Sequence, residues 1–305
     1  MSLAGLKVPR KTFVSDLVSG LVMAAVTVPG ALANGLLAGV NPVYGVYSVI
    51  AGTSVAALFT SSVIMNVDST SATSIATGDF VGGVASEEQL GYLVVLGLLV
   101  GLFMLIFGFL KLGFLVRFIS NAVMTGFLSG LGVLTILGQV GDLTGYHSDA
   151  GNKVFQTIDT IAHWQEVDPA TLLVGLVTIA IIVVLSRTKL DRYSFAIALV
   201  IGTVVVLLPV FGSVALVGDT ADIPRGLPRP NLPDLTLVPS ILLPALTIAV
   251  IALVQGAGVS QSKPNPGGEY PDPSGDFRGQ GAGNMAVGVF GGIPVGGSLP
   301  GTALI

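Results

Sequence analysis

The chain has 305 residues, of which 52% are hydrophobic and only 10% charged, at a mean hydropathy of +0.87; one globular core cannot hide that much apolar surface, so the composition is that of an integral membrane protein. Thirteen Lys/Arg against seventeen Asp/Glu leave a formal charge of −4, which excludes the basic footprint a nucleic-acid partner requires. With no cysteine, and with His147 and His163 as the two histidines, disulfides, thiolate metal sites and a histidine-rich metal centre are excluded too, and no cofactor is expected.

A bilayer core takes about 20 apolar residues per helix. The first apolar run, 14–37, is too long for the hydrophobic region of a cleavable leader and leads directly into a second, 42–60, so it is expected to stay as a span. Runs at 90–111, 114–139, 169–186, 193–212 and 236–256 are equally plain. Two further stretches, 64–83 and 280–305, are rich in Gly, Ser and Thr and are expected to be broken or shortened spans.

Basic residues orient the spans, because they concentrate in cytoplasmic loops. With the N-terminus inside and both broken stretches counted as crossings, Lys7, Arg10, Lys11, Lys111, Arg117, Arg187, Lys189, Arg192, Lys263 and Arg278 fall inside, against Lys153, Arg225 and Arg229 outside. If 64–83 did not cross, Lys111 and Arg117 would leave the side of the N-terminal cluster. The expectation is therefore a multi-pass protein of the cell (inner or plasma) membrane with a cytoplasmic N-terminus. His147, His163 and Trp164 fall in an acidic extracytoplasmic segment and are assigned to the membrane interface.

Both broken stretches share one plan. In MNVDSTSATSIATGDF, Met65 to Phe80, a short extended piece meets hydroxyl residues, and a helix is expected to start with Asp68 or Ser69 as its N-cap. In GGIPVGGSLPGTALI, Gly291 to Ile305, residues 293–295 are expected to be extended, Gly296-Gly297-Ser298 to turn, and a helix to begin near Pro300. A half-helix starting at mid-membrane leaves backbone N–H groups unpaired and aims a partial positive charge at one point, which suits an anion. Small residues in membrane helices also serve close packing, and composition alone leaves the two readings level.

Three segments carry a family resemblance: Asp16–Ser48 (DLVSGLVMAAVTVPGALANGLLAGVNPVYGVYS), Leu112–Gly145, with its FIS-x-x-V-M-x-GF block at Phe118–Phe127, and Phe277–Leu304 (FRGQGAGNMAVGVFGGIPVGGSLPGTAL). Together they resemble the SulP sulfate permeases, solute carrier family 26. The resemblance implies an all-α polytopic fold of the inverted-repeat, uracil-permease-like kind, seven spans plus seven, with short strand pieces at broken spans three and ten. It implies core-domain spans 1–4 in residues 1–113, gate-domain spans 5–7 in 114–233, and core-domain spans 8–9 with the start of span ten in 234–305. The chain stops just inside half-helix ten. The family's remaining spans and any STAS domain are thus expected to come from further sequence or a second polypeptide. A homodimer is implied as well.

The resemblance places the substrate anion between half-helices three and ten. Ser69 and Thr70 match the start of the first, and Gly297, Ser298 and Thr302 the start of the second, where relatives often carry Ser-Arg or Ser-Ala just after the serine and this chain has Leu299-Pro300-Gly301. Gly30, beside Pro29 on span one, stands where relatives carry Gln or Glu, with Asn34 offering a polar contact one turn on. Gln255 stands where many relatives have a carboxylate tied to proton or sodium coupling, and an amide does not titrate near neutral pH. Its other reading is a hydrogen bond to the broken helices. Asp68, an intramembrane carboxylate, is the candidate carrier of a coupling H+ or Na+, with helix capping as its alternative role.

The function expected is secondary transport of an inorganic anion, sulfate or a similar oxyanion or bicarbonate, by an elevator-like motion in the lipid bilayer. An uncoupled anion channel and a nucleobase permease of the same architecture are the alternatives; the latter class generally uses carboxylates that Gln255 and the Ser298 region lack. No enzyme is expected: GFLSG at Gly126–Gly130 has the wrong spacing for an intramembrane serine protease, and no later span supplies a histidine base.

Overall fold

The computed structural model describes residues 13–118, 121–148, 150, 152–216 and 226–303. The basic residues Lys7, Arg10, Lys11 and Arg225 invoked for orientation lie outside the described residues. The helices follow the apolar runs: α1 (Phe13–Leu37, with Pro29 inside it) and α2 (Val43–Phe59), then strand β1 (Asn66–Ser69) and helix α3 (Ser71–Val81), then α4 (Ser86–Phe109). After a 3-10 turn at Leu112–Phe118 come α5 (Asn121–Gly138), α6 (Val140–Thr144), α7 (Lys153–Ala162), α8 (Pro169–Leu185) and α9 (Ser194–Val206). The last group is α10 (Val238–Ser260), α11 (Pro273–Phe290), strand β2 (Val295–Ser298) and α12 (Leu299–Ala303).

Among the described residues, four helical stretches are long and apolar enough to cross a bilayer: Ser19–Leu37, Ser86–Phe109, Thr125–Thr144 and Leu235–Ser260. Val43–Phe59, Pro169–Leu185 and Ser194–Val206 are shorter apolar helices. The stretch 280–305, read from sequence as one broken crossing, divides among three elements. Its first part, 280–290, ends α11, which starts earlier, at Pro273, and β2 and α12 follow. Asp276, Arg278, Gln280 and Asn284 dilute the hydropathy of α11 below the level of a recognisable span.

Local chemistry sets the helix ends. Asp168 and Asp272 each precede a proline and accept hydrogen bonds from first-turn amides, Asp168 from Ala170 and Thr171, Asp272 from Ser274 and Gly275. A capping carboxylate followed by proline at the first helical position is a strong start signal. At the other end of α11, Gly291 adopts φ 72°, the left-handed turn that only glycine takes without strain.

The buried apolar core draws on residues 38–104 and 241–293, with Leu93, Leu96, Val100 and Met104 of α4 against Ile241, Ala245 and Ile248 of α10. Of the described residues of 114–233, Val116 packs against it partly buried, and none is among its fully buried members. α4 and α11 make the most extensive helix contact, and small residues let their backbones meet: a Cβ on Gly97 would lie 2.7 Å from the Cα of Gly288. On its other side α11 approaches α2, where a Cβ on Gly283 would lie 2.9 Å from the carbonyl of Gly52. Gly52 itself sits in a π-turn at Val49–Thr53, and Thr53 Oγ1 donates to the Val67 carbonyl at 2.6 Å. The irregular turn of α2 is thereby tied to β1.

Candidate functional site

Two strands far apart in sequence meet to form the centre of this core. β1 and β2 pair antiparallel, with Asn66 opposite Ser298, Val67 opposite Gly297, Asp68 opposite Gly296 and Ser69 opposite Val295. Directly opposed residues share a face, and faces alternate along each strand. Val67 and Val295 therefore lie on one face, where they join a buried cluster with Ala56, Met65, Val259 and Val287. Asn66, Asp68 and Ser298 lie on the other, at 7%, 7% and 6% exposure. A polar face at this depth sits against protein rather than lipid, as backbone interrupted inside a membrane must. Gly296-Gly297, expected from sequence to turn, is instead extended within β2. α10 crosses close behind it, and a Cβ on Gly297 would lie 2.6 Å from the Cα of Gly256.

The N-cap of α3 is Thr70, one residue beyond the expected Asp68 or Ser69. Its backbone is extended, its side chain accepts from Thr73 N–H, and Thr73 Oγ1 accepts in turn from Thr70 N–H, completing a capping box. Thr70 Oγ1 also donates to Gln255 Oε1 at 3.2 Å, so the amide on α10 holds the cap of the broken helix. Neither Ser71 N–H nor Ala72 N–H is hydrogen-bonded among the described residues. These open first-turn donors, with the dipole of an 11-residue helix behind them, are what an anion site requires.

Asn34 of α1 closes the same region, with Nδ2 donating to the Ser69 carbonyl at 2.7 Å and to Ser69 Oγ at 3.3 Å. Gly30 is exposed, and a Cβ there would meet nothing within 4 Å, so Asn34 is the residue by which α1 touches the site. Asp68 does not cap α3; its Oδ1 accepts from Ser69 N–H at 2.6 Å and from Ser69 Oγ at 3.3 Å. It forms no ion pair among the described residues.

Across the ladder, Ser298 Oγ accepts from Gly301 N–H at 3.1 Å, the bond of an N-cap serine, and α12 begins at Leu299. Thr302 is occupied: its Oγ1 accepts from Asn66 N–H at 3.0 Å and donates to the Ser298 carbonyl. The Gly297 amide is occupied as well, donating to Gln280 Oε1 at 3.2 Å. The structure thus brings Ser69, Thr70, Gln255 and Ser298 into one buried region. It turns the Gly297 amide and the Thr302 hydroxyl to holding the strands together.

What positions the strands is one face of α11 that sequence reasoning passed over. Asp276, Gln280 and Asn284 recur every four residues and so stack on one side of the helix. Asp276 Oδ1 accepts from Thr60 Oγ1, Ser61 N–H, Ser61 Oγ and Ser62 N–H at 2.7 to 2.9 Å, pinning the loop that leads into β1. Gln280 holds Gly297, and Asn284 takes both backbone groups of Val295. The signal was present in the sequence as three polar residues at helical spacing among glycines and apolar residues.

A cavity of about 790 Å3 lies elsewhere, between α1 and the segment from α5 to α7, lined by Pro29, Leu32, Leu36, Gln139, Tyr146 and Thr160 among others. None of Asp68, Ser69, Thr70, Gln255 or Ser298 lines it. We place the candidate site at the strand crossing because the open donors converge there.

Residues 13–305 match the sulfate permease family. The chain belongs to that family. It is 30% identical to a probable sulfate transporter of Mycobacterium tuberculosis over 97% of this chain and 53% of that protein. It is 26% identical to the bicarbonate transporter BicA of Picosynechococcus over 98% of this chain and 54% of that protein. The chain spans about half the length of these curated relatives. Its fold matches the transmembrane domain of a cyanobacterial bicarbonate transporter BicA with a TM-score of 0.77 at 24% identity, covering 98% of this chain and 78% of that one. It also matches murine solute carrier 26 family member A9, an anion transporter in the inward-facing state, with a TM-score of 0.81 at 20% identity, covering 99% of this chain and 54% of that one. Both are mostly helical membrane folds, as the sequence led one to expect, with the small two-stranded sheet at the centre here.

Proposed function

We propose that this chain forms the anion-holding part of a secondary transporter whose substrate is sulfate, a similar small oxyanion or bicarbonate. The observation that carries the reading is the N-terminus of α3, with open first-turn amides and a Thr70 cap held by Gln255, at one end of a strand pair whose other end carries Ser298. Neutral donors suit a transporter, because an anion can exchange its hydration shell for them without meeting a fixed countercharge from which it could not leave. The relatives named for sulfate and bicarbonate transport support the same class of substrate.

Movement would then be an elevator-like displacement of one body against another. The buried core, whose fully buried members come from 38–104 and 241–293 with Val116 packed at its edge as the contribution of described 114–233, supports a core and a gate of the proposed bounds. Asp68 is the titratable group at the strand crossing and the proposed carrier of a coupling H+ or Na+. A cytoplasmic N-terminus and a homodimer complete the proposal.

The test is uptake of radiolabelled sulfate, bicarbonate and chloride into proteoliposomes holding the full-length frame that contains this chain, with and without imposed proton and sodium gradients. Gradient-stimulated sulfate or bicarbonate uptake, lost on Ser298→Leu, is the expected result, and loss of the stimulation alone on Asp68→Asn would assign the coupling. Electrogenic current independent of either gradient would replace the carrier by a channel. A full-length protein that moves none of the three anions would refute the reading.

A further inference from the structure

Asn66 faces Ser298 across the ladder, and its side chain is 93% withdrawn from solvent by the strands and α12, being 7% exposed. Its Nδ2 is buried and has no hydrogen-bond partner among the described residues. An unmet amide donor in a dry interior is costly, so it is retained only where something offsets the loss. The amide lies against the bare Cα of Gly301: a Cβ there would collide with Asn66 Nδ2 and come within 3.0 Å of Ser298 Oγ. Ser298 Oγ accepts from Gly301 N–H, and its own hydrogen meets no acceptor among the described residues. Two unused donor hydrogens, one N–H and one O–H, therefore stand side by side on the polar face of the ladder. Asp68, two residues along the same face, does not meet them, since its Oδ1 is turned back onto Ser69.

We propose that Asn66 is a specificity-determining residue of the anion site, acting with Ser298 as a pair of neutral donors that two oxygens of one oxyanion satisfy together. The pair rests on the anion-transport reading above and deepens it. A polyatomic oxyanion presents two acceptors at once, whereas a monatomic halide cannot span two separated donors as well, so the pair favours sulfate or bicarbonate over chloride. Gly301 belongs to the device, because any side chain there would displace the amide.

The experiment compares Asn66→Val with Asn66→Thr in the full-length protein. The two residues have nearly the same shape and both suit a strand, but only threonine carries a donor. Sulfate and chloride uptake are measured in proteoliposomes, with KM and Vmax separated. Asn66→Val is expected to raise the KM for sulfate about tenfold or more, the loss of one hydrogen bond to a charged acceptor, while Vmax and the chloride KM change by less than about twofold. Asn66→Thr should keep the sulfate KM within about threefold, and Gly301→Ala should reproduce the valine effect. Equal sulfate KM values for the valine and threonine variants would overturn the proposal. So would a normal KM in the Asn66→Ala, Gly301→Ala double variant, since that would reduce the pair to complementary packing. Failure of Asn66→Val alone to reach the membrane would assign Asn66 to folding and overturn it equally. A wild-type protein inert toward sulfate, bicarbonate and chloride would instead bring down the underlying transport reading.

Discussion

Asn284 and Val295 are joined twice: Asn284 Oδ1 accepts from Val295 N–H at 2.9 Å, and Asn284 Nδ2 donates to the Val295 carbonyl at 2.8 Å. One side-chain amide thus replaces a neighbouring strand for the residue at which β2 begins. Both backbone groups are buried, and Val295 itself is fully covered. Replacing Asn284 by leucine strands two backbone groups at once, which should cost about 2–6 kcal/mol. The expected outcome is a large fall in the apparent Tm of the detergent-solubilised protein, with Asn284→Gln failing to rescue it because the longer side chain displaces the amide. A Tm within error of wild type for Asn284→Leu would show that the clamp does not hold β2.

The seven uninterrupted apolar runs and the two strand-then-hydroxyl interruptions were legible in the sequence because hydropathy and small-residue composition report them directly. Thr70 as the cap of α3 was missed by one residue, since Asp68, Ser69 and Thr70 are all good caps and only the pairing of β1 with β2 decides which one leaves the strand. That pairing joins residues more than 200 positions apart, and no local pattern announces it. The Gly297 amide and the Thr302 hydroxyl looked like anion ligands for the same reason: their partners, Gln280 and Asn66, lie on elements that only the fold brings near. Asp276, Gln280 and Asn284 were readable in principle, but an apolar-run scan discounts the polar helix that carries them.

Asp276 concentrates four neutral donors on one carboxylate oxygen while its Oδ2 has no hydrogen-bond partner among the described residues. An asparagine keeps the accepting oxygen and loses only the charge that strengthens each bond, whereas a leucine removes the acceptor. Asp276→Asn should therefore lower stability modestly, by about 1–2 kcal/mol, and Asp276→Leu by about 3 kcal/mol or more. Thermal unfolding monitored by intrinsic fluorescence separates the two. Equal losses would mean that charge, not acceptance by Oδ1, holds the Thr60–Ser62 loop.

Thr70 serves two partners, Thr73 in the capping box and Gln255 on α10. Thr70→Ala removes both bonds and should cost about 1–2 kcal/mol, while Thr70→Ser keeps the hydroxyl and should cost little. Because the cap adjoins the open amides of Ser71 and Ala72, the alanine variant is also expected to raise the KM for sulfate, and the serine variant to leave it near wild type. If alanine and serine behave alike in both stability and KM, the Thr70 hydroxyl has no part in holding the start of α3.

The polar segment between α6 and α8 offers a titration outside the long apolar helices. His163 lies with its ring stacked on Tyr146, 5.8 Å between centroids, and its Nδ1 stands 3.1 Å from Asp159 Oδ1. The backbone carbonyl of Asp159, and then its carboxylate charge, hold the His163 pKa above the ordinary histidine value. The Ser148 hydroxyl first, with Tyr146 and His163, holds Asp159 below the ordinary carboxylate value. For the histidine, whose folded pKa is raised, the stabilisation is complete below its unfolded pKa and fades as pH rises through the raised folded value. For the aspartate, whose folded pKa is lowered, it is complete above the unfolded carboxylate pKa and fades as pH falls through the lowered folded value. The pair is therefore strongest in the mildly acidic window between them. Histidine-selective NMR should place the His163 midpoint above the ordinary histidine value, and Asp159→Asn should bring it part of the way down, since the backbone carbonyl remains. A midpoint unmoved by Asp159→Asn would leave the carbonyl as the whole cause and remove the carboxylate from the account.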